Sequence, residues 1–396
     1  MKATPTITAT EMRGINRSAV LETIRRLGPI ARTRIAEELQ ISLPTVMRIV
    51  DDLMREDLVK PTGAKEWSGG RKRPLLEFNA QGHLIIGVDM NETRLYGAVA
   101  DLAGEILTET FLPHRTRGVQ SYDLLVSVIE QLLESACKTG KNIRGIGVGA
   151  PGITYYEEGV VQWAPSLEWR NFPLKENLRQ RFNLPVVLDN DVNISALGEL
   201  WFGAGQNCTN LVLVIVGSGI GAGIIIDGGI YRGSHLTAGE IGFLLPDRSH
   251  MGIRREGYGA LESLASGASI AVRARQALHG RLPEEKLAAL TAEDVFEAFR
   301  RNEAWSQPII SDTIDYLAQM LATLTVCFDP DLIVLSGGIA KSADLLLEPI
   351  YQRIEGAIPI RPKLVVSTLA HRAAIMGAII EILYETTDFY VVRKLT

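Results

Sequence analysis

The stretches Leu84-Ile85-Ile86-Gly87-Val88-Asp89, Arg94-Leu95-Tyr96-Gly97-Ala98-Val99-Ala100-Asp101 and Glu105-Ile106-Leu107-Thr108-Glu109-Thr110 read as three consecutive strands, with Ala103-Gly104 turning the last pair. A helix over 121–138 and a strand over 143–148 follow, then a strand over 185–188 that leads into a helix over 192–202. A second series opens with a strand over 211–216, the turn Gly217-Ser218-Gly219-Ile220-Gly221-Ala222-Gly223 and a strand over 224–227. It resumes late in the chain with a helix over 310–327, a strand over 332–335 and the turn Ser336-Gly337-Gly338. Strands followed by helices, arriving twice, predict a duplicated α/β architecture with a ligand cleft between its halves. Asp89, the 217–223 loop and Ser336-Gly337-Gly338 lie at strand ends, where a phosphate would sit.

Ahead of the sheet region the pattern is helical. Residues 16–27, 31–39 and 42–56 form three short amphipathic segments separated by Gly28-Pro29 and Gln40-Ile41. In the third, Ser42 is placed to cap the helix and Pro44 falls in the first turn. Val46, Ile49, Val50 and Leu53 recur at i, i+3, i+4 and i+7 as a buried stripe, while Ser42, Thr45, Arg48 and Asp52 occupy the opposite face. Leu58-Val59-Lys60 and Leu75-Leu76-Glu77-Phe78 then flank the basic tip Ser68-Gly69-Gly70-Arg71-Lys72-Arg73-Pro74. This order predicts a winged helix-turn-helix over residues 1–80, with Ser42, Pro44, Thr45 and Arg48 at the major groove and Arg71, Lys72 and Arg73 on phosphates or the minor groove. Charge agrees: residues 1–80 carry 14 Lys and Arg against 10 Asp and Glu, while the rest carry 27 against 36.

Composition bounds the remainder. A chain of 396 residues with 46% hydrophobic content builds two or three domains. Cys137, Cys208 and Cys327 are far apart, which excludes a disulfide framework and a thiolate cluster and predicts free core thiols in a reducing compartment. No apolar run approaches the roughly 18 residues of a membrane span, so the expected location is cytoplasmic, with no membrane partner.

The chain resembles the ROK family, which gathers bacterial sugar-responsive repressors and sugar kinases on an actin-like, hexokinase-like fold of ribonuclease H-like lobes. Four motifs carry the resemblance: Leu188-Asp189-Asn190-Asp191-Val192-Asn193 with Ala196-Leu197-Gly198-Glu199, the glycine turn 217–223, Gly239-Glu240-Ile241-Gly242, and Leu261-Glu262-Ser263-Leu264-Ala265-Ser266-Gly267. The resemblance implies a first lobe over 81–188, completed by a C-terminal helix over 369–390, and a second over 189–368. It implies sugar contacts at Asn190, Asp191, Glu240 and Glu262, with Asp191 at the general-base position of the kinases. A family contact from asparagine falls on Ser166 here, and one from histidine falls on Phe243.

Two departures from the family separate this chain from its kinases. The Asp-x-Gly-Gly-Thr-Lys phosphate loop reads Asp89-Met90-Asn91-Glu92-Thr93-Arg94, which fills both glycine positions and brings a carboxylate toward nucleotide phosphates. The family's zinc ligands, one histidine and three cysteines, are replaced by Phe243, Ile253, Arg255 and Ala260, so no metal and no cofactor is expected. An apolar miniature core of Phe243, Ile253 and Tyr258 is expected in place of the zinc, with Glu240 and Glu262 facing the cleft. The resulting expectation is a non-enzymatic transcriptional repressor of carbohydrate genes, a homodimer or homotetramer on a palindromic double-stranded operator, with a sugar effector. An ATP-dependent sugar kinase and a regulator that has lost sugar binding are the alternatives.

Overall fold

Ser42 accepts a hydrogen bond from the Thr45 N–H and starts the third helix of an N-terminal head. In the computed structural model, which describes residues 9–68, 71–255 and 257–387, that head comprises α1 (Ala9–Leu27), α2 (Arg32–Leu39), α3 (Leu43–Arg55) and the hairpin β1 (Val59–Ser68) and β2 (Arg71–Phe78). The side chains at 9–11, 65–68 and 71–73 lie outside the described residues, and so do Gly69 and Gly70. Helix α1 begins well before residue 16, because its first turns are polar and carry no apolar period. The wing strands are also longer than their apolar cores, since pairing resumes beyond an irregularity at Pro61/Lys65 and runs on to Ser68 opposite Arg71.

The body repeats one topology. The first half contains β3 (His83–Met90), β4 (Arg94–Asp101), β5 (Ile106–Pro113), α4 (Val119–Cys137) and β6 (Asn142–Ala150). A small sheet of β7 (Ile153–Tyr155), β8 (Val160–Ala164) and β9 (Trp169–Phe172) precedes α5 (Leu174–Phe182), β10 (Val186–Asn190) and α6 (Asp191–Trp201). The second half opens with β11 (Leu211–Val216), β12 (Ile220–Ile226) and β13 (Gly229–Ile230). Helices α7 (Glu262–Ala265), α8 (Gly267–Leu278), α9 (Glu284–Ala289), α10 (Ala292–Arg300) and α11 (Ser306–Phe328) lead to β14 (Leu332–Ser336), α12 (Ala343–Ile354), β15 (Leu364–Val366) and α13 (Ala373–Thr387). The sheets are ordered β10-β6-β3-β4-β5 and β15-β14-β11-β12-β13, the same arrangement twice. Central strand β3 is buried throughout, as its near-continuous apolar run requires.

Each half exchanges its last helix with the other. Val192 and Ala196 of α6 lie over Gly221 and Gly223 of the second sheet, where added Cβ atoms would stand 3.0 Å from Val192 Cγ2 and 2.6 Å from Ala196 Cβ. In return, α13 lies on the first sheet, with Ile375 over Gly87 and Ala378 over Gly147. The sequence puts Gly221 and Gly223 in a candidate phosphate loop. They belong to β12 instead, where small residues let a helix approach, and the turn itself shrinks to Gly217-Ser218-Gly219.

The head is bolted to the body. Val20, Leu53 and Leu58 share one apolar core with Ile379, Ile382 and Leu383 of α13. Arg17 of α1 donates to the Thr387 carbonyl at 3.1 Å, and Arg144 of β6 lies 3.6 Å from Glu56 Oε2 at the end of α3. The expectation of core thiols holds only for Cys208, because Cys137 and Cys327 are exposed at helix C-termini. No helix among the described residues is long and apolar enough to cross a membrane.

Candidate functional site

The β10–α6 corner is set by Asn190. Its Oδ1 accepts from the N–H groups of Val192 and Asn193 at 2.9 and 3.1 Å, capping α6, and its Nδ2 donates to the Gly152 carbonyl at 3.0 Å. Asp191 therefore enters the cleft as the first residue of α6, its Oδ1 accepting from Val192 N–H at 3.0 Å. Gly149 pairs with Asp89 on one side and Asp189 on the other, and a Cβ there would stand 3.2 Å from the Asp191 Cα. That vacancy brings the Asp191 and Asp89 carboxyls together. Burial first, then the negative Asp89 and Glu240, push the Asp191 carboxyl well above the usual carboxylate range, against the pull of the Val192 N–H and Arg94.

Glu240 approaches from the second lobe. Its carboxylate accepts no hydrogen bond from the described residues, and burial and the neighbouring Glu262 raise its pKa. Glu262 is differently engaged: Oε1 accepts from Ile220 N–H at 2.9 Å and Oε2 from Gly259 N–H at 3.2 Å. It ties the glycine turn to the end of the 239–262 loop, which limits the lone pairs left for a ligand. The expected apolar miniature core does not form, because Phe243, Ile253 and Tyr258 are 46, 54 and 50% exposed. Polar links hold this loop instead. Arg255 bonds His250 Nδ1 at 2.8 Å, Gln319 donates to the Pro246 carbonyl at 2.6 Å, and Gly259 packs so closely on Gly242 that no Cβ would fit.

A phenyl ring, a branched alkyl chain, a guanidinium and a methyl group stand at the four zinc-ligand positions and offer no zinc donors. Among the described residues no group of three or more His, Cys, Asp or Glu is placed to hold a metal. At the phosphate position, Asn91 Oδ1 accepts from the N–H groups of Thr93 and Arg94, both at 3.1 Å, closing the turn on itself. Arg94 folds back onto buried Asp89 at 2.9 Å. The backbone N–H groups of Thr93 and Arg94 are thus engaged within the turn. Glu92 looks across the cleft at Tyr258, and its charge is the main cause raising the Tyr258 hydroxyl pKa.

Ser166 lies half-buried on the turn Pro165–Leu167, with no hydrogen-bond partner among the described residues. The structure brings Glu240 within electrostatic reach of both Asp191 and Glu262. Sequence reasoning missed Arg94 as the partner of Asp89, and it missed Arg232, which bonds Asp189 at 2.5 Å from the other lobe. The spacing Asp89–Arg94 across a two-residue turn was a usable signal for the first. Nothing local pointed to the second.

On the head, Ser42, Pro44 and Arg48 are exposed, Thr45 is half-buried, and Val46, Ile49, Val50 and Leu53 are buried, so α3 presents the expected face. Arg48 makes no ion pair among the described residues, and exposed Met47 extends the apolar part of that face. Asp52 is drawn aside by the exposed Arg13 at 3.4 Å and by Arg55. Arg71, Lys72 and Arg73 head β2, but their side chains lie outside the described residues.

A family model described as the ROK family matches residues 85–383. The xylose repressor of Caldicellulosiruptor bescii is 30% identical over 391 residues, covering 96% of this chain and 98% of that protein. A glucokinase of Halalkalibacterium halodurans is 34% identical over 291 residues, covering 69% of this chain and 86% of the enzyme. The crystal structure of a ROK family transcriptional regulator, a homolog of the E. coli MLC protein, superposes with a TM-score of 0.83 at 25% identity, covering 96% of this chain and 98% of that one. Duplicated lobes, exchanged helices and a family match across most of its length place this chain in the ROK family.

Proposed function

We propose that the chain is a DNA-binding transcriptional repressor of carbohydrate genes whose interlobe cleft takes an uncharged sugar as effector. The observation that carries this reading is the pairing of a free acceptor, Glu240, with Asp191 across a cleft whose nucleotide turn is already closed by Asn91 and Arg94. Asp191 and Glu240 accept sugar hydroxyls, Asn190 sets the corner, Ser166 supplies a hydroxyl, and Phe243 offers an aromatic face. Asp89, Glu92, Asp191, Glu240 and Glu262 crowd the site against Arg94 and Arg117, each of which is already paired with a carboxylate. A phosphate ester would meet net repulsion there, whereas a neutral sugar would not.

The head reads DNA with Ser42, Pro44, Thr45 and Arg48, and Arg71, Lys72 and Arg73 contact the backbone. A homo-oligomer on a palindromic operator in the cytoplasm completes the picture, and effector binding alters half-site spacing. A xylose repressor and a transcriptional regulator match this chain over nearly its whole length, head included, and this supports the regulatory reading over a kinase. Thermal-shift screening of free sugars against their phosphate esters tests the cleft. Stabilisation by a free sugar that disappears in Asp191→Asn and Glu240→Gln is the expected result. A phosphate ester that stabilises more strongly than its free sugar would refute the charge argument.

A further inference from the structure

Arg232 leaves the second lobe just after β13, at the start of the loop that ends on Glu240. Its guanidinium crosses to the first lobe. It meets Asp189 Oδ2 at 2.5 Å, lies 3.6 Å from Glu381 Oε1 of α13, and covers the Tyr156 ring at 4.3 Å. Asp189 and Glu381 are each 1% exposed. The second Asp189 oxygen accepts the Asn190 N–H at 2.7 Å, so the pin fixes the backbone next to Asp191. Arg232 Nε lacks a hydrogen-bond partner among the described residues, and the Glu381 carboxyl is met only by Asp189 and, at 3.6 Å, by Arg232. A buried cluster left partly satisfied is poised to rearrange when its two lobes move.

From Glu381 the DNA-binding head is one helical turn away. Tyr384, half-buried on α13, lies beside Glu22 and Arg25 of α1. The Arg25 guanidinium stacks at 4.9 Å on Trp201, the last residue of α6, whose first residue is Asp191. Both helices of the interlobe crossing therefore end against α1, and rigid helices convert a shift at one end into a shift at the other.

We propose that Arg232 is a positioning residue that couples the cleft to the head, an inference that rests on the sugar-responsive repressor proposed above. A sugar that draws Glu240 toward Asp191 carries the 232–240 loop with it. The Asp189–Arg232–Glu381 cluster then moves α13 and α6 against α1, and the winged helix turns.

Hydrogen–deuterium exchange on the full chain tests this, with D-xylose, D-glucose and N-acetylglucosamine as probes and wild type, Arg232→Lys and Arg25→Ala compared. Lysine keeps the charge of Arg232 but loses its two-pronged fork. In the wild type, a sugar should change exchange about tenfold both at residues 189–193 and in α1. Both variants should keep the first change and lose the second. Arg25→Ala, at a partly exposed side chain, keeps the test decisive where Arg232→Lys does not fold. A variant that retains the α1 response overturns the coupling, as does a wild type that responds at 189–193 and not in α1. No response at 189–193 to any of the three sugars removes the sugar site itself, and the coupling with it.

Discussion

Gly198 of α6 and Gly377 of α13 face each other where the two exchanged helices cross, backbone against backbone. A Cβ on Gly377 would collide with the Ile194 carbonyl oxygen, and one on Gly198 with that of Ala373. Helix propensity alone would make alanine the better residue at both positions by about 1 kcal/mol. The crossing reverses that preference. Gly377→Ala should destabilise the protein by about 1–3 kcal/mol through overpacking, read as a lower urea midpoint. An unchanged or higher midpoint would mean the helices separate freely.

Glu381 predicts a pH dependence. Burial, and then the negative Asp189, hold its carboxyl well above the usual carboxylate range. The native chain binds this proton more tightly than the unfolded chain, so the contribution is fully present below the ordinary value of 4.5 and is lost as pH rises through the native pKa. The slope is about 1.4 kcal/mol per pH unit across that window. Glu381→Gln is neutral at every pH and should remove this share of the slope, leaving the variant the more stable protein on the alkaline side. Parallel stability–pH curves for the two proteins would show that Glu381 is not the titrating group.

Asp191 and Glu240 separate a sensor from a kinase. Asp191→Asn and Glu240→Gln should each cost about 0.5–1.5 kcal/mol of sugar affinity through an altered hydrogen bond, measured by calorimetry with whichever sugar stabilises the wild type. A coupled assay with ATP and the same sugar should show no turnover. Phosphorylation that disappears in Asp191→Asn would establish a kinase.

On the head, Arg48→Ala should cost about 1–3 kcal/mol at the operator and relax base preference at one position. Arg71→Ala or Arg73→Ala should weaken all duplexes alike and reduce the salt slope by about 1. Fluorescence anisotropy across a salt series separates the two effects, and equal salt slopes in all three variants would remove Arg71 and Arg73 from the DNA backbone.

Glu262 holds the 239–262 loop, where the family resemblance puts the zinc ligands. Glu262→Ala frees the N–H groups of Ile220 and Gly259, at about 1–3 kcal/mol for each donor left buried, and should speed proteolytic nicking between residues 244 and 258. Metal analysis should find zinc well below one ion per chain, and stoichiometric zinc would contradict the ligand assignment.

Local patterning carried much of this protein. Alternation and turn residues marked β3, β4 and β5, a four-residue stripe marked the buried side of α3, and Ser42 marked its start. Asn190 and Asp191 came from the family resemblance, and that Asn190 rather than Asp191 caps α6 is visible only in the structure. What the sequence could not determine is long-range. The glycines of β12 looked like a phosphate loop until α6 was seen lying on them. Phe243, Ile253 and Tyr258 looked like a core until hydrogen bonds from Glu262, Arg255 and Gln319 held the loop open. Arg232 carries no local signature, because its partners Asp189 and Glu381 come from distant parts of the chain. Periodicity and capping are set within a few residues of backbone, so sequence alone determines them. The exchange of α6 and α13, and the buried charges gathered behind it, depend on how two sheets pack, and only the tertiary structure decided them.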